Sequence, residues 1–400
     1  MKKQLLLTAL ISFLLPLLSF SQVIEWQNTI GGSGIDYLYS ISQTSDGGYI
    51  LGGYSGSNIS GDKTENSNGT FDYWIVKTDS KGDIQWQNTI GGSGEDLLVS
   101  ISQTSDGGYI LGGRSQSNIS GDKTEDSNGF YDYWIVKTDS TGAIQWQNTI
   151  GGSWDDQLYS IAQTSDEGYI LGGLSGSNIS GDKTEDSNGT LDYWIVKTDS
   201  TGTIQWQNTI GGGVEDALYS ITQTSDGGYI LGGHSDSNIG GDKTENSRGG
   251  FDYWIVKTDS AGVIQWERTI GGSGPDFLKC LVQTSDGGYI LGGYSDSGIS
   301  GDKTENSHGS DDYWIIKTDS TGVIQWQKSI GGSYEDQLYS IAQTPDGGYI
   351  LGGTSGSNLS GNKTENCHGF YDFWIVKTDS TGAIQWQNTI GGSIDDHLYS

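Results

Sequence analysis

The chain has 400 residues, 33% of them hydrophobic, and a formal net charge of −30, or −32 once Lys2 and Lys3 are removed. So acidic a surface repels nucleic-acid phosphates and anionic membranes, which excludes partners that require clustered Lys and Arg. Its two cysteines, Cys280 and Cys367, each replace a serine in a single copy of a repeat, so no disulfide framework or cysteine metal site is encoded.

Residues 1–21 stand apart from the rest. Lys2 and Lys3 precede an apolar run, Leu5 to Phe20, interrupted by Pro16 and followed by Ser21 and Gln22. A basic start, an apolar middle and small residues near a cut make a secretory signal, and the run is short for a membrane span. The sequence therefore predicts cleavage near Gln22 and an exported chain, 22–400, secreted or at the cell surface and without membrane insertion.

A unit of 60 residues then repeats six times. Trp26 returns as Trp86, Trp146, Trp206, Trp266, Trp326 and Trp386, and Trp74 as Trp134, Trp194, Trp254, Trp314 and Trp374. A fixed period of this size marks a propeller, solenoid or array, in which one unit cannot bury its own apolar face. In copy one, Leu38 to Gln43 alternates, with Leu38, Ser40 and Ser42 on one side and Tyr39, Ile41 and Gln43 on the other. Ser45-Asp46-Gly47-Gly48 predicts a two-residue hairpin turn, because Asp-Gly supplies positive φ. Tyr49–Ser55 is the second strand, a polar loop runs from 56 to 70, and Asp72–Thr78 is the third strand. A turn at Asp79-Ser80-Lys81-Gly82 leads into a fourth, Asp83–Ile90.

Four short antiparallel strands per unit predict an all-β fold, a β-propeller of four-stranded antiparallel blades. The tryptophans are expected between blades, each large buried aromatic removing about 150–250 Å² from water, roughly 4–6 kcal/mol gross. The ends are out of phase with the blade. Residues 23–30 read as a lone outer strand, six complete blades occupy about 38–390, and 391–400 begin a further one. The expectation is a seven-bladed propeller cut short by the sequence, with a six-bladed ring carrying a spare strand as the alternative.

The strings Thr-Ser-Asp-Gly-Gly-Tyr-Ile-Leu-Gly-Gly (44–53), Asp-Tyr-Trp-Ile-Val-Lys-Thr-Asp (72–79) and Trp-Gln-Asn-Thr-Ile-Gly-Gly (86–92) resemble the propeller-type repeats of secreted Bacteroidetes proteins, the SBBP-like or delta-60 repeats. The resemblance implies a surface or secreted protein of the kind exported by type IX secretion. It carries no catalytic residues. Asp139-Ser140-Thr141 is similar to the short O-glycosylation signal of that phylum, though turn-forming residues here read first as a tight turn. Thr44-x-Asp46-x-Gly48 is partly similar to the sialidase Asp-box, a hairpin device away from that enzyme's active site.

Near-identical copies allow an internal comparison. The hairpins hardly change, whereas the fourth-to-first linker varies (Trp154 and Tyr334 among others) and so does the start of the long loop (Tyr54, Arg114, Leu174, His234, Tyr294, Thr354). Because strands in a blade alternate in direction, linker and long loop share one face and both hairpins the other. Loops on a rigid frame are the usual place for recognition, while drift would also vary them. The candidate ligand-binding residues are therefore Trp154, Tyr334, Tyr54, Arg114, His234 and Tyr294, and the expected partner is a glycan or an extracellular protein.

The long loop offers oxygen ligands, Asp62, Glu65 and Asn66, with Asp72 close behind. Calcium takes six to eight such oxygens. Against it stand Lys63, a spacing unlike an EF-hand, and Asn362 in place of the aspartate in copy six; local capping hydrogen bonds are the other reading. Asp36 returns in every linker, either bonding its own turn or, as a ring at the channel mouth, concentrating cations. The four histidines are scattered and no nucleophile–base set recurs, so no enzyme is expected. Two functions remain: an adhesion or binding module acting through the variable face, and a structural surface or spacer protein with no specific ligand, stabilised by calcium.

Overall fold

The computed structural model describes residues 24–399, so the expected signal segment lies outside the described residues. Six four-stranded antiparallel sheets follow one another, each pairing its strands in chain order. In blade one these are β1 (Asp36–Gln43), β2 (Tyr49–Ser55), β3 (Asp72–Thr78) and β4 (Ile84–Ile90), and the same four recur every 60 residues. The first strands of consecutive blades touch one another, which puts them at the axis of a β-propeller.

β1 departs from the simple alternation expected of it. Leu38 pairs with Gly53 and Ser40 with Gly52, so Tyr39 is the extra residue of a β-bulge. A bulge leaves its residue outside the ladder and redirects the side chain. Positions 38 and 41 therefore share the inter-blade face and position 39 turns to the channel. Where blade two faces blade three, a Cβ at Gly112 of blade two would stand 2.7 Å from methyls of both Leu158 and Ile161 of blade three. Only glycine lets the sheets approach so closely.

The first hairpin is longer than a two-residue turn, with Thr44 to Gly48 lying between the strands. The Thr44 N–H donates to Gly48 O and the Gly47 N–H to Thr44 O, while Gly47 sits at φ 84°. Asp46 accepts from Thr44 Oγ1 and the Gly48 N–H and pairs with the buried Lys77 at 3.0 Å.

Five apolar clusters lie between consecutive blades. In the first, Ile50, Tyr73, Ile75 and Ile90 of blade one meet Leu98, Ile101, Tyr109, Leu111, Trp134 and Val136 of blade two. The other four repeat it. The inter-blade place expected for the second tryptophan series is where it sits. Tyr73 crosses the boundary, its hydroxyl donating to the Trp134 carbonyl at 2.9 Å. Four further copies do the same, while the sixth carries Phe373.

Blades six and one share no such cluster among the described residues. Between them lie the two chain ends. The expected strand over 23–30 is not a strand: residues 24–33 form no ladder, because no third strand stands beside them to accept their hydrogen bonds. They still occupy an outer-strand position. Asn28 Nδ2 donates to Gly82 O at 2.7 Å, as Asn88 does to Gly142 O at 2.8 Å. Trp26 meets Tyr49 edge-on at 5.8 Å, as Trp86 meets Tyr109 at 5.7 Å. At the other end, Leu398 packs on Gly352 as Leu338 packs on Gly292. Tyr399 stacks on Tyr39 at 4.8 Å.

Candidate ligand-binding site

The variable positions meet at the channel. Tyr54 at the end of β2 touches Tyr39 and Tyr37 of its own blade and Phe71 just before β3. The corresponding positions in the other blades join them into a belt. Tyr159 and Tyr219 lie 4.7 Å apart, His234 contacts Tyr219 at 5.2 Å and Phe277 at 4.9 Å, and Phe277 contacts Tyr294 at 5.2 Å. Tyr294 approaches Tyr339, Tyr339 approaches Tyr399, and Tyr399 stacks on Tyr39. Offset and edge-on rings at these spacings pack favourably.

Of the six candidate ligand residues, four come together here: Tyr54, Arg114, His234 and Tyr294. Arg114 lies over Tyr131 at 5.5 Å and Tyr159 at 5.7 Å. His234 is 3% exposed rather than displayed on the face. Burial, and then the neighbouring Lys279, hold its imidazole well below the usual histidine range, so it is neutral. Burial likewise raises the hydroxyls of Tyr54, Tyr219, Tyr294 and Tyr339. Trp154 and Tyr334 stand elsewhere, on the rim, 65% and 62% exposed. Their neighbours include Phe130, whose N–H donates to the Trp154 carbonyl at 3.0 Å, and Phe370 near Tyr334.

The sequence reading missed the inner-strand residues at Tyr39, Tyr159, Tyr219, Lys279, Tyr339 and Tyr399. Their signal was present, since Lys279 and Val99 break a tyrosine series, but the bulge that aims them inward was not visible.

The long-loop residues Asp62, Glu65, Asn66 and Asp72 do not converge on a common point. Asp62 Oδ2 accepts the Gly31 N–H while its own N–H donates to Gly31 O. Glu65 accepts from the Thr89 N–H and Asn66 from the Ile59 N–H. Asp72 is buried and accepts from the Asn68 and Gly69 N–H groups. Among the described residues no three His, Cys, Asp or Glu side chains form a metal-ligand group. The Asp62 position is a staple between blades: Asp122 exchanges two hydrogen bonds with Gly91 at the end of β4, 2.9 and 3.2 Å. Asn362 does the same with Gly331, since only an acceptor oxygen is needed.

The linker aspartates form a second buried series. Asp96 accepts from the Gly92 N–H at 2.7 Å and from Ser117 at 3.0 Å, and its N–H donates to Phe71 O beside Asp72. Asp72 is raised to about 6, first by burial and then by the Asp96 charge, and Asp132 to about 7 by burial and Asp156. Each closed boundary thus holds two carboxyl groups out of water.

No known family profile matches the chain. The regulatory protein FlaEY of Caulobacter vibrioides is 24% identical over 269 residues, which is 62% of this chain and 28% of FlaEY. The chain therefore spans little more than a quarter of that relative's length. Among solved structures it is similar to a protein of unknown function from Bacteroides caccae, at 12% identity and TM-score 0.45, covering 86% of this chain and 94% of that one. It is also similar to hydrazine synthase of Kuenenia stuttgartiensis, at 11% identity and TM-score 0.48, covering 82% and 77%.

Proposed function

We propose that the chain is an exported, non-enzymatic β-propeller that binds a glycan at the channel mouth of its variable face. One observation carries this reading: residues that differ between otherwise uniform copies converge on a single belt of aromatic rings. Ring faces suit the C–H faces of sugars, and recessed belts select chain ends over flat surfaces. The N-terminal signal and the likeness to secreted Bacteroidetes repeats support export, by the type IX route. The contacts of Trp26, Asn28, Leu398 and Tyr399 support a ring of seven blade positions, six of them filled by complete sheets. A glycan array tests the function. Signal is expected from the wild type and lost in Val99→Trp, which would fill the channel beside the bulge without touching the ladder. An array blank for the wild type would sink the reading.

A second reading, a structural surface or spacer protein, rests on a different observation. Ile59, Ile119, Ile179, Ile239, Ile299 and Leu359, one per long loop, are 61–66% exposed. Apolar knobs spaced once per blade suit contact with another repeated surface. Light scattering would decide: concentration-dependent assembly that disappears when three of these isoleucines become serine favours the spacer, and a monomer at all concentrations removes it.

A further inference from the structure

Two cations in the channel have no counter-ion among the described residues. The repeated lysines are satisfied by their own blades: Lys77 by Asp46, Thr78 O and Gln85, and Lys63 by Glu65 O and Thr89. Of the singly occurring cations, Arg248 pairs with Asp302 and Lys328 with Glu305. Arg114 and Lys279 differ. Lys279 Nζ lies 3.7 Å from the centre of the Tyr219 ring, with Phe277 and Tyr294 also within 6 Å. It has no hydrogen-bond acceptor among the described residues. Arg114 Nε and Nη1 are buried and meet no acceptor, and neither does His234 Nδ1.

Buried donors without acceptors are costly to leave unsatisfied, and buried cations more so. Cation–π contact offsets part of that cost but supplies no acceptor oxygen. His234 and Lys279 both contact Tyr219 and Phe277, and two adjacent rings join them to Arg114. Arg114 and Lys279 stand at the two ends of the Tyr159–Tyr219 pair, whose rings are 4.7 Å apart, and His234 contacts Tyr219 at 5.2 Å. The Arg114 charge is felt by Tyr54, Tyr159 and Tyr219, which belong to three different blades, so it projects into their common channel. Burial alone brings Lys279 down to about 8, a direction that an anion beside it would reverse.

We propose that the channel wall between Arg114 and Lys279 is an anion subsite that takes the carboxylate of an acidic sugar, a uronic-acid residue at the end of a glycan. This rests on the glycan reading above and adds the charge of the sugar. Either the guanidinium or the ammonium can donate to a carboxylate, and charge-assisted hydrogen bonds are the stronger kind. The mouth adds selectivity. Its carboxylates are largely engaged: Glu95 accepts from Tyr131, Glu335 from Tyr371, and Asp155 from Gln157 through one oxygen, the other being buried without a partner among the described residues. They repel a chain that is charged along its length, while a single terminal carboxylate passes to the cations beyond.

The test is calorimetric titration of the full chain with two trisaccharides of the same linkage, one ending in glucuronic acid and one all glucose. A sulfated heparin fragment forms a third arm. The variants are Lys279→Tyr and Arg114→Leu, residues that other copies carry at these positions (Tyr219 and Leu174) and that the fold therefore accommodates. The acidic trisaccharide is expected to bind at least about tenfold more tightly than the neutral one, one charge-assisted hydrogen bond being of that order. Each variant should remove that preference, whatever it does to the neutral affinity, and heparin should bind no better than glucose. Equal binding of the two trisaccharides, or an acid preference that survives both substitutions, overturns the anion subsite and leaves the glycan reading standing. Binding of neither trisaccharide overturns both. Heparin binding best of all overturns the single-carboxylate assignment.

Discussion

The boundary between blades one and two and the boundary between blades six and one carry leucine and isoleucine at the same two inner-strand positions and differ in what covers them. In blade two, Leu98 and Ile101 are 0% and 3% exposed beneath blade one; in blade one, Leu38 and Ile41 are 46% and 41% exposed. The leucine and the isoleucine are the same at both places. Burial in this molecule is therefore supplied by the neighbouring copy and not by the unit itself, as expected of a chain whose stability is a sum of repeats and interfaces. Lateral contact, not strand propensity, holds the ring.

The largest test of that contrast is truncation at equivalent leucines. Leu158→Ala, at a closed boundary, is expected to cost about 2–5 kcal/mol, whereas Leu38→Ala should cost under about 1 kcal/mol. Urea denaturation of the two variants reads the difference, and equal losses would mean that the open boundary is covered in solution.

pH should separate the boundaries next. Burial first, and the partner carboxylate second, raise Asp132 to about 7 and Asp72 and Asp192 to about 6. Unfolded aspartates titrate near 4, so between about pH 4 and 7 the folded chain binds protons that the unfolded chain has released. Stability from these groups is full below pH 4 and falls as pH rises through their folded values. The hairpin aspartates act in the opposite sense. Burial works against them, yet hydrogen bonds from Thr104 and Lys137 hold Asp106 near 2, so its contribution is lost only as pH falls below 4. Thermal melts should therefore give a Tm several degrees higher at pH 5 than at pH 8. Asp156→Asn, which keeps an acceptor for Gly152 and Ser177, should flatten that slope. A Tm that rises toward pH 8 would contradict the buried pairs.

A smaller effect lies in the tyrosine that crosses each closed boundary. Tyr133→Phe removes its hydrogen bond to the Trp194 carbonyl and should cost about 1 kcal/mol. Phe373→Tyr, on the open side, should change stability by less, and the same denaturation series compares them. The smallest effect concerns one hairpin. Glu167 holds φ 68° where other copies place glycine, so Glu167→Gly should gain up to about 1 kcal/mol, seen as a later urea midpoint at unchanged slope.

How far the sequence was legible follows from the same contrast. The second and third strands, Tyr49–Ser55 and Asp72–Thr78, match to the residue, because turn chemistry bounds both and their apolar runs are unbroken. β1 begins two residues earlier than expected, at Asp36, and its alternation fails at Tyr39, since a bulge shifts the period without a composition cue. The long loop looked like a cation site because its oxygens are close in sequence; in space Asp62, Glu65 and Asn66 each turn to a different backbone N–H. Variation alone points to Tyr54, Arg114, His234 and Tyr294 but not to their convergence, because residues of different blades meet only when the blades close into a ring.

The bulge at position 39 has a consequence for how such a chain can change. It lifts one residue per copy out of the ladder, so Tyr39, Val99, Tyr159, Tyr219, Lys279 and Tyr339 can differ while every flanking pair keeps its register. The channel wall is thus a row of interchangeable letters set in a fixed frame. Duplicating a unit adds a letter, and a single base change rewrites one, without disturbing the packing that keeps the neighbouring blades together.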